Sequence, residues 1–572
     1  MKRFIPVVDI FAGAGGLGEG FAAYPGREGI RFDVRLSIES DPAACASLRL
    51  RSFYRRSTGR AREDYYRFVN GELTLEELYG QNSELHDEIC GNEVWEVSLG
   101  GENFSEEELH ERIGKAIEGS RDWILVGGPP CQAYSMAGRA RNRGVEGYDA
   151  GNDGRHFLYQ EYLRIISRHW PSVFVMENVP GILSSTAGGK TPIFERIHKD
   201  LHDPLAAEGP EDSIGRHGPR RHHYHIRPLD PDAVDKRDLF GWDFERVSDF
   251  IVSSDKFGIP QSRRRVILVG VRDDVTDVRP ILHTPYRKPV PARAVLKGLP
   301  PVRSGLSKKD AFRSTANGTD ETELWRQALH TANGSQWLRC LQERGDNTLA
   351  GKIKDVIRGQ EKGKRGVPPS RGGEVVRPSG NGINYRELEP FRGLHDFIAD
   401  SKITRVRNHS TREHMLSDLH RYLFVSVFGL VHGRSPKLPD FPHDLLPEHR
   451  NVSRALSHGD FADRFRVQLW NEPSTTVVSH LSRDGHYFIH PDPRQCRSLT
   501  VREAARLQTF PDSYVFCGNR SDQYEQVGNA VPPWLGLQIA ATIAGLFDRL
   551  DLQLKETDSR ADSGTKKEAQ VV

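Results

Sequence analysis

A chain of 572 residues exceeds what one hydrophobic core serves, and ordinary domain size divides it into about two to four units. Its 80 Lys and Arg against 78 Asp and Glu leave a formal charge of +2, which excludes a global basic field, so a polyanion partner would be met by local patches. Six cysteines (Cys45, Cys90, Cys131, Cys340, Cys496, Cys517) without a C-x-x-C pair argue against a disulfide framework and a zinc ribbon; no metal is expected, and a reducing cytoplasm fits best. No run reaches the ~20 apolar residues of a membrane span, so no membrane partner is expected.

Pro6 to Phe11 (PVVDIF) reads as a short apolar strand that runs into the glycine loop AGAGGLGEG, Ala12 to Gly20, and then into a helical period through Leu17 and Phe21. Strand, glycine loop and helix open a Rossmann-like unit, because only glycine lets the backbone turn tightly and meet a ligand without a Cβ. A second strand, Val34 to Ile38, ends at Glu39, about 20 residues past the loop, where a carboxylate accepts hydrogen bonds from ribose hydroxyls. Gly13, Gly15 and Gly18 also satisfy G-x-G-x-x-G, so the loop by itself leaves open which nucleoside is bound.

Trp123 to Val126 reads as a buried strand, broken by Gly127-Gly128 into a loop whose prolines Pro129 and Pro130 fix the backbone before Cys131. A strand tip thus presents a thiol, although a lone buried cysteine commonly serves as a small hydrophobe. Another apolar strand, Phe174 to Met176, delivers Glu177 at what would be the ligand edge of a parallel sheet. The His-rich RRHHYH at 220–225 has no cysteine pair or acidic partner nearby and reads as an exposed insertion. In FGIPQSRRRVILVG, Phe257 to Gly270, a turn and three arginines precede a strand; Arg263 and Arg265 would point the same way if extended, while three arginines alone suit a solvated charge run.

Between Gly270 and Arg497 lies the long middle of the chain. Lys352 to Arg377 holds eight Lys or Arg against three acids, a local +5, suited either to phosphate contact or to a solvated linker. Thr500 and Glu503 form a capping box ahead of Ala504 and Leu507. From Pro532-Pro533, Leu535, Ile539, Ile543 and Leu546 recur at helical spacing, so the last helix should return to the first domain; residues beyond about 552 are polar and expected to be disordered.

DIFAGAGG, GGPPCQAYSMAG, ENVPG, PQSRRRV, RSLTVREAARLQTFPD and QVGNAVPP, in this order, resemble the DNA cytosine-5 methyltransferase family in its prokaryotic restriction-modification or phage-defence form. The resemblance implies an α/β fold: a Rossmann-like S-adenosylmethionine-dependent sheet over 1–290 and 520–550, a smaller target-recognition domain with its connecting helix over 291–519, and a tail from 551. It implies S-adenosylmethionine as cofactor, held by Phe11, Gly13, Gly15, Gly16, Glu39, Pro129, Leu158 and Asn529. By the same resemblance Cys131 is the nucleophile toward cytosine carbon 6, Glu177 bonds ring nitrogen 3 and the exocyclic amine, Arg265 meets the base carbonyl, and Arg263 stands near the reacting site. Gln132 and Ser135 belong to a loop closing on DNA, Thr476-Val477 to a groove contact, and the base must be flipped out of the duplex. The family's adenine-binding Asp has Glu96 as its nearest counterpart. Double-stranded DNA is the implied partner, with a cognate restriction or defence nuclease beside a monomeric, cytoplasmic, nucleoid-associated enzyme; transfer RNA methylation or a catalytically silent DNA-binding regulator are the alternatives.

Overall fold

The structure is a computed structural model that describes residues 3–26, 29–101, 103–130, 158–185, 192–208, 221–233, 246–276, 278–307, 320–360, 370–378, 383–447, 452, 463–483 and 485–568. Its centre is one sheet in the order β3 (Val94–Glu96), β2 (Ile30–Glu39), β1 (Arg3–Ile10), β4 (Ile124–Gly127), β5 (Val173–Asn178), β9 (Arg264–Arg272), β6 (Tyr224–Arg227), with β7 (Ile251–Ser253) also on β9. The first five strands are parallel, and β9 runs antiparallel to β5, β6 and β7. Consecutive residues of the middle strands serve opposite faces: Val7, Ile124 and Val175 enter one apolar core, and Val8, Leu125 and Phe174 the other. That explains why these strands read as unbroken apolar runs rather than alternating ones. α1 (Gly16–Ala22) and α2 (Pro42–Arg56) follow β1 and β2, the second capped by Asp41, which accepts from Ala43 N and Ala44 N.

The sheet order reverses at β1, from which the chain first builds outward to β2 and β3 and later returns to add β4 and β5. The carboxyl ends of β1 and β4 therefore part at a switch point, where an open α/β sheet leaves a crevice. An insertion of three helices, α3 (Gly59–Val69), α4 (Leu75–Gln81) and α5 (Ser83–Asn92), precedes β3 and shares a small core with α2.

A separate apolar core is built by the helices Glu321–His330, Gln336–Glu343, Asn347–Gly359 and Leu416–His432 together with Phe465, Val467, Ile489 and Cys496. This lobe lies within the range assigned to target recognition. Other parts of the range 291–519, among them Val295, Leu394, Val477 and the segment with Leu499, Val501, Leu507, Phe510 and Phe516, pack in the same core as β1. Part of the basic stretch 352–377 is regular, since 352–359 continue a helix and Gly372–Val376 pairs with Val406–Ser410.

Three further expectations meet the structure at the ends of the chain. The capping box forms, with Thr500 accepting from Glu503 N and Glu503 accepting from Thr500 N. The final helix buries Leu535, Ile539, Ile543 and Leu546 against α1, but it continues to Glu568 where a disordered tail was expected. Once a helix is nucleated on a core, each further residue adds one hydrogen bond without a new nucleation cost. The run Arg520–Leu550 is long and apolar enough to cross a membrane by length and composition, contrary to expectation, yet 72% of its apolar window is buried inside the body. Gly16 and Gly20 permit the contact: a Cβ on Gly16 would stand 2.1 Å from Val531 O, and one on Gly20 2.4 Å from Gly536 C. The His-rich segment is also corrected, because Tyr224–Arg227 is an interior-packed edge strand and not an exposed insertion; Tyr224 and Ile226 complete the core under β9.

Candidate active site

A cleft of about 390 Å³ opens at the switch point, within the range of small-ligand sites. Phe11, Gly13, Gly16, Glu39, Pro129, Leu158 and Asn529 line it, as do Glu177 and Arg265. Each of the central residues arrives on the end of an element: Phe11 after β1, Glu39 at the tip of β2, Pro129 after β4, Glu177 on β5 and Arg265 on β9.

Phe11 holds φ +52°, a left-handed backbone rare for an aromatic residue, and this turns the chain into the glycine loop. Gly13 has φ +54° with open space where a Cβ would stand. Gly15 is absent from the lining; it caps α1 at φ +65°, and a Cβ there would meet Leu48 at 2.7 Å. Its role is to shape the loop. Glu39 is fixed by three backbone donors, Gly13 N at 2.7 Å on one oxygen and Ser40 N and Asp41 N at 2.8 and 2.9 Å on the other. The carboxylate thus ties the glycine loop to β2 while facing the cleft.

Asp9, beneath the loop, is only 2% exposed yet also lines the cleft. Burial pushes its carboxyl up to about 8, opposed by the Gly18 backbone and Arg55 and reinforced by Glu39. A Cβ on Gly18 would come within 2.7 Å of Asp9 Oδ2, so the third glycine of the G-x-G-x-x-G pattern makes room for this acid. The wall beyond β3 is Val97, Ser98 and Leu99. Glu96, the nearest counterpart of the family's adenine-binding Asp, is not among the lining residues and pairs with Arg49 of α2 at 3.0 Å. Together the carboxylate at Glu39, the Cβ-free edge at Gly13 and the apolar walls of Val97, Leu99, Leu158 and Val531 fit an adenosine-bearing cofactor.

Across the cleft, Arg265 Nε meets Glu177 Oε1 at 2.7 Å, with side chains 14% and 13% exposed. Gly128 leaves room for this pair, since a Cβ there would stand 3.0 Å from Glu177 Oε2. Asn178 Nδ2 donates to Pro129 O at 3.4 Å, joining the β5 tip to the Pro129-Pro130 loop. A carboxylate and a guanidinium side by side offer acceptor and donor to the edge of a heteroaromatic ring. Cys131, Gln132 and Ser135 lie outside the described residues.

Arg263 does not join Arg265 in the cleft. It is fully buried, and its Nη1 and Nη2 donate to Val477 O at 2.7 Å and Gly528 O at 3.1 Å. The two arginines diverge because Arg263 precedes β9, in the bend after β8 (Gln261–Ser262), and is not in extended register with Arg265. Val477 is likewise buried, not a groove contact, whereas Thr476 is half-exposed and its hydroxyl donates to Ser262 O at 2.8 Å. Sequence reasoning missed Asp9 and Ser98 as lining residues; the acid stood in view at the strand end, but nothing local signals which strand residues face a cleft.

Residues 100–204 and 246–545 match the family model described as C-5 cytosine-specific DNA methylase. Over 558 residues the chain is 28% identical to the type II methyltransferase M.Bpa9945I of Bacillus paralicheniformis, covering 95% of this chain and 99% of that one. It is 25% identical over 506 residues to the DNA (cytosine-5-)-methyltransferase M.ApeKI of Aeropyrum pernix, covering 82% and 91%. With the type II methyltransferase M.Eco47II of Escherichia coli it shares 38% identity over 428 residues, 75% of this chain and 65% of that one. With the mixed sheet, its glycine loop and the acid-arginine pair in one cleft, these matches carry one conclusion: the chain belongs to the C-5 cytosine-specific DNA methylase family, and it is an S-adenosylmethionine-dependent DNA (cytosine-5-)-methyltransferase.

Proposed function

We propose that the enzyme methylates cytosine within one short sequence of double-stranded DNA, and that the target base is flipped into the cleft beside Glu177 and Arg265. The observation that carries this is the 2.7 Å Glu177–Arg265 pair opening on the same cleft as the glycine loop and Glu39. S-adenosylmethionine supplies the electrophilic methyl group when bound. Phe11, Gly13, Gly16, Glu39, Pro129, Leu158 and Asn529 hold it, with Glu39 toward the ribose hydroxyls and Gly15 shaping the loop.

Carbon 5 of cytosine is a weak nucleophile, so covalent activation is needed. Cys131 adds as thiolate to carbon 6, which raises electron density at carbon 5. Glu177 bonds ring nitrogen 3 and the exocyclic amine, and Arg265 bonds the ring carbonyl oxygen, so charge that develops on the ring is met by groups already in place. Carbon 5 takes the methyl group with S-adenosylhomocysteine as the leaving group; its proton then passes to solvent water as base, and the freed electron pair re-forms the 5,6 double bond as the Cys131 thiolate is expelled. Gln132 and Ser135 close over the DNA, and Thr476 approaches it from the recognition lobe. The lobe is the target-recognition domain, and the enzyme works as a cytoplasmic, nucleoid-associated monomer that marks host DNA against a cognate restriction or defence nuclease.

The test is transfer of labelled methyl from S-adenosylmethionine to duplex DNA, with Cys131→Ser alongside and bisulfite sequencing of the product. Label at cytosine in one short motif, lost in the variant, is the expected result. Label on transfer RNA alone, or at many unrelated cytosines, would overturn the reading.

A further inference from the structure

The short strand nearest the expected DNA face, Ser474–Thr475, pairs with β8 over two residues only. A ladder so short does not hold itself. Side chains from the 261–263 turn fix the adjoining residue Val477, whose N donates to Gln261 Oε1 at 2.7 Å and whose O accepts from Arg263 Nη1 at 2.7 Å. The same guanidinium reaches Gly528 O, one residue before Asn529 on the cofactor wall. Gln508 extends the brace, its Nε2 donating to Val527 O at 2.7 Å and Ala530 O at 3.2 Å while its Oε1 accepts from Gln261 Nε2 at 3.1 Å. These carbonyls end the helix Arg520–Asn529, where a helix leaves its last acceptors unbonded and favours positive charge.

We infer that Arg263 is a positioning residue that joins two binding faces, the Thr476 segment and the Asn529 wall of the cofactor cleft, so that duplex DNA and cofactor each tighten the binding of the other. The inference rests on the assignment of Thr476 to DNA and Asn529 to the cofactor in the proposed function. The physical basis is that one rigid, planar fork bonds both carbonyls. A shift of the Thr476 segment by DNA is carried to the helix end, and a cofactor that fixes the helix end fixes the segment. A lysine, with one nitrogen on a flexible stem, does not hold both carbonyls in the same geometry. Such linkage is reciprocal.

The experiment is calorimetric titration of the full chain with S-adenosylhomocysteine, alone and with a saturating duplex that carries the methylated motif, and then the reverse order. Wild type is expected to bind each ligand at least about fivefold tighter in the presence of the other. In Arg263→Lys each ligand alone should bind within about threefold of wild type while the mutual enhancement falls to near one. Retention of the full enhancement in Arg263→Lys overturns the inference. So does a wild type that binds both ligands independently, an outcome that leaves the site assignments standing; a wild type that does not bind S-adenosylhomocysteine overturns those assignments instead. Should Arg263→Lys fail to fold, Gly528→Ala acts on the same joint without touching the arginine. Its Cβ would stand 2.3 Å from Ser479 N and 2.4 Å from Val478 C, prising the helix end from the Thr476 segment. Loss of enhancement in that variant supports the joint, and retention overturns it.

Discussion

The cofactor cleft and the junction between the sheet domain and the helical lobe both concentrate charge, but they treat it oppositely. In the cleft, Glu39 takes its bonds from backbone N–H groups, and Glu177 and Arg265 keep an open side. At the junction the charges are closed off. Arg497 is fully buried, grips Glu503 with two 2.6 Å bonds and donates to Val302 O at 2.8 Å. Arg506 holds Asp512 through bonds of 2.9 and 2.7 Å and also reaches Val295 O. Burial alone would raise the Glu503 carboxyl, but Arg497 and His490 more than offset this and hold it well below the usual range. The difference teaches that charge in the cleft is kept available for ligands, while charge at the junction is consumed in fixing one orientation of the lobe.

Substitutions should therefore separate the two regions. The largest effect is expected at Glu177→Gln, which should lower kcat by about 10²–10⁴-fold while leaving thermal stability and S-adenosylhomocysteine affinity near wild type; a parallel loss of stability would erase the distinction. Next is Glu503→Gln, which leaves Arg497 buried without its counter-charge and should cost about 3–5 kcal/mol in denaturant unfolding, with activity per folded molecule retained.

The pH responses should run in opposite directions. His409 and His490, buried in the junction among Arg497, Glu503, Arg506 and Asp492, are lowered to about 4 chiefly by burial. The folded state binds fewer protons there, so their contribution is full above about 6.5, the unfolded value, and is lost as pH falls toward 4. Asp9 is raised to about 8, so its contribution is present below 3.8 and is lost as pH rises through 8. Thermal melts of wild type and Asp9→Asn between pH 5 and 9 should converge at the acid end and separate at the alkaline end, with the Asn variant the more stable; each tenfold difference in proton affinity between the folded and unfolded states is worth about 1.4 kcal/mol. The smallest effect is expected at Glu96→Gln, which removes an exposed pair worth about 0–1 kcal/mol; a change of more than about threefold in S-adenosylhomocysteine affinity would restore Glu96 to the cofactor site.

The cleft was far more legible than the junction. Strand, glycine loop and the acid at the end of β2 are local patterns whose physics acts within a few residues, and Thr500 and Glu503 announced their capping box in the same way. Arg497 and Arg506 look like any other basic residues in the sequence, and Arg263 reads as a companion of Arg265, because the carbonyls that fix them lie across the chain: Arg263 bonds Val477 and Gly528, Arg497 bonds Val302, and Arg506 bonds Val295. Nor could the His-rich 221–225 reveal itself as the approach to an edge strand, since only pairing with β9 gives it a place.

The packing of the last core helix on α1 also sets when the protein can finish assembling. Gly16 and Gly20 make backbone contact with Val531 and Gly536, and Tyr514 OH donates to Ala14 O at 2.6 Å. The first glycine loop thus waits on residues made about five hundred positions later, and at ribosomal speed that delay is on the order of a minute. Until then the face of α1 that the last helix covers stays open, and the cleft lacks its Asn529 wall. A methyltransferase built this way becomes competent only after the segment around Val531 and Gly536 has been made, and until then the nascent chain carries an exposed apolar surface that a chaperone would shield.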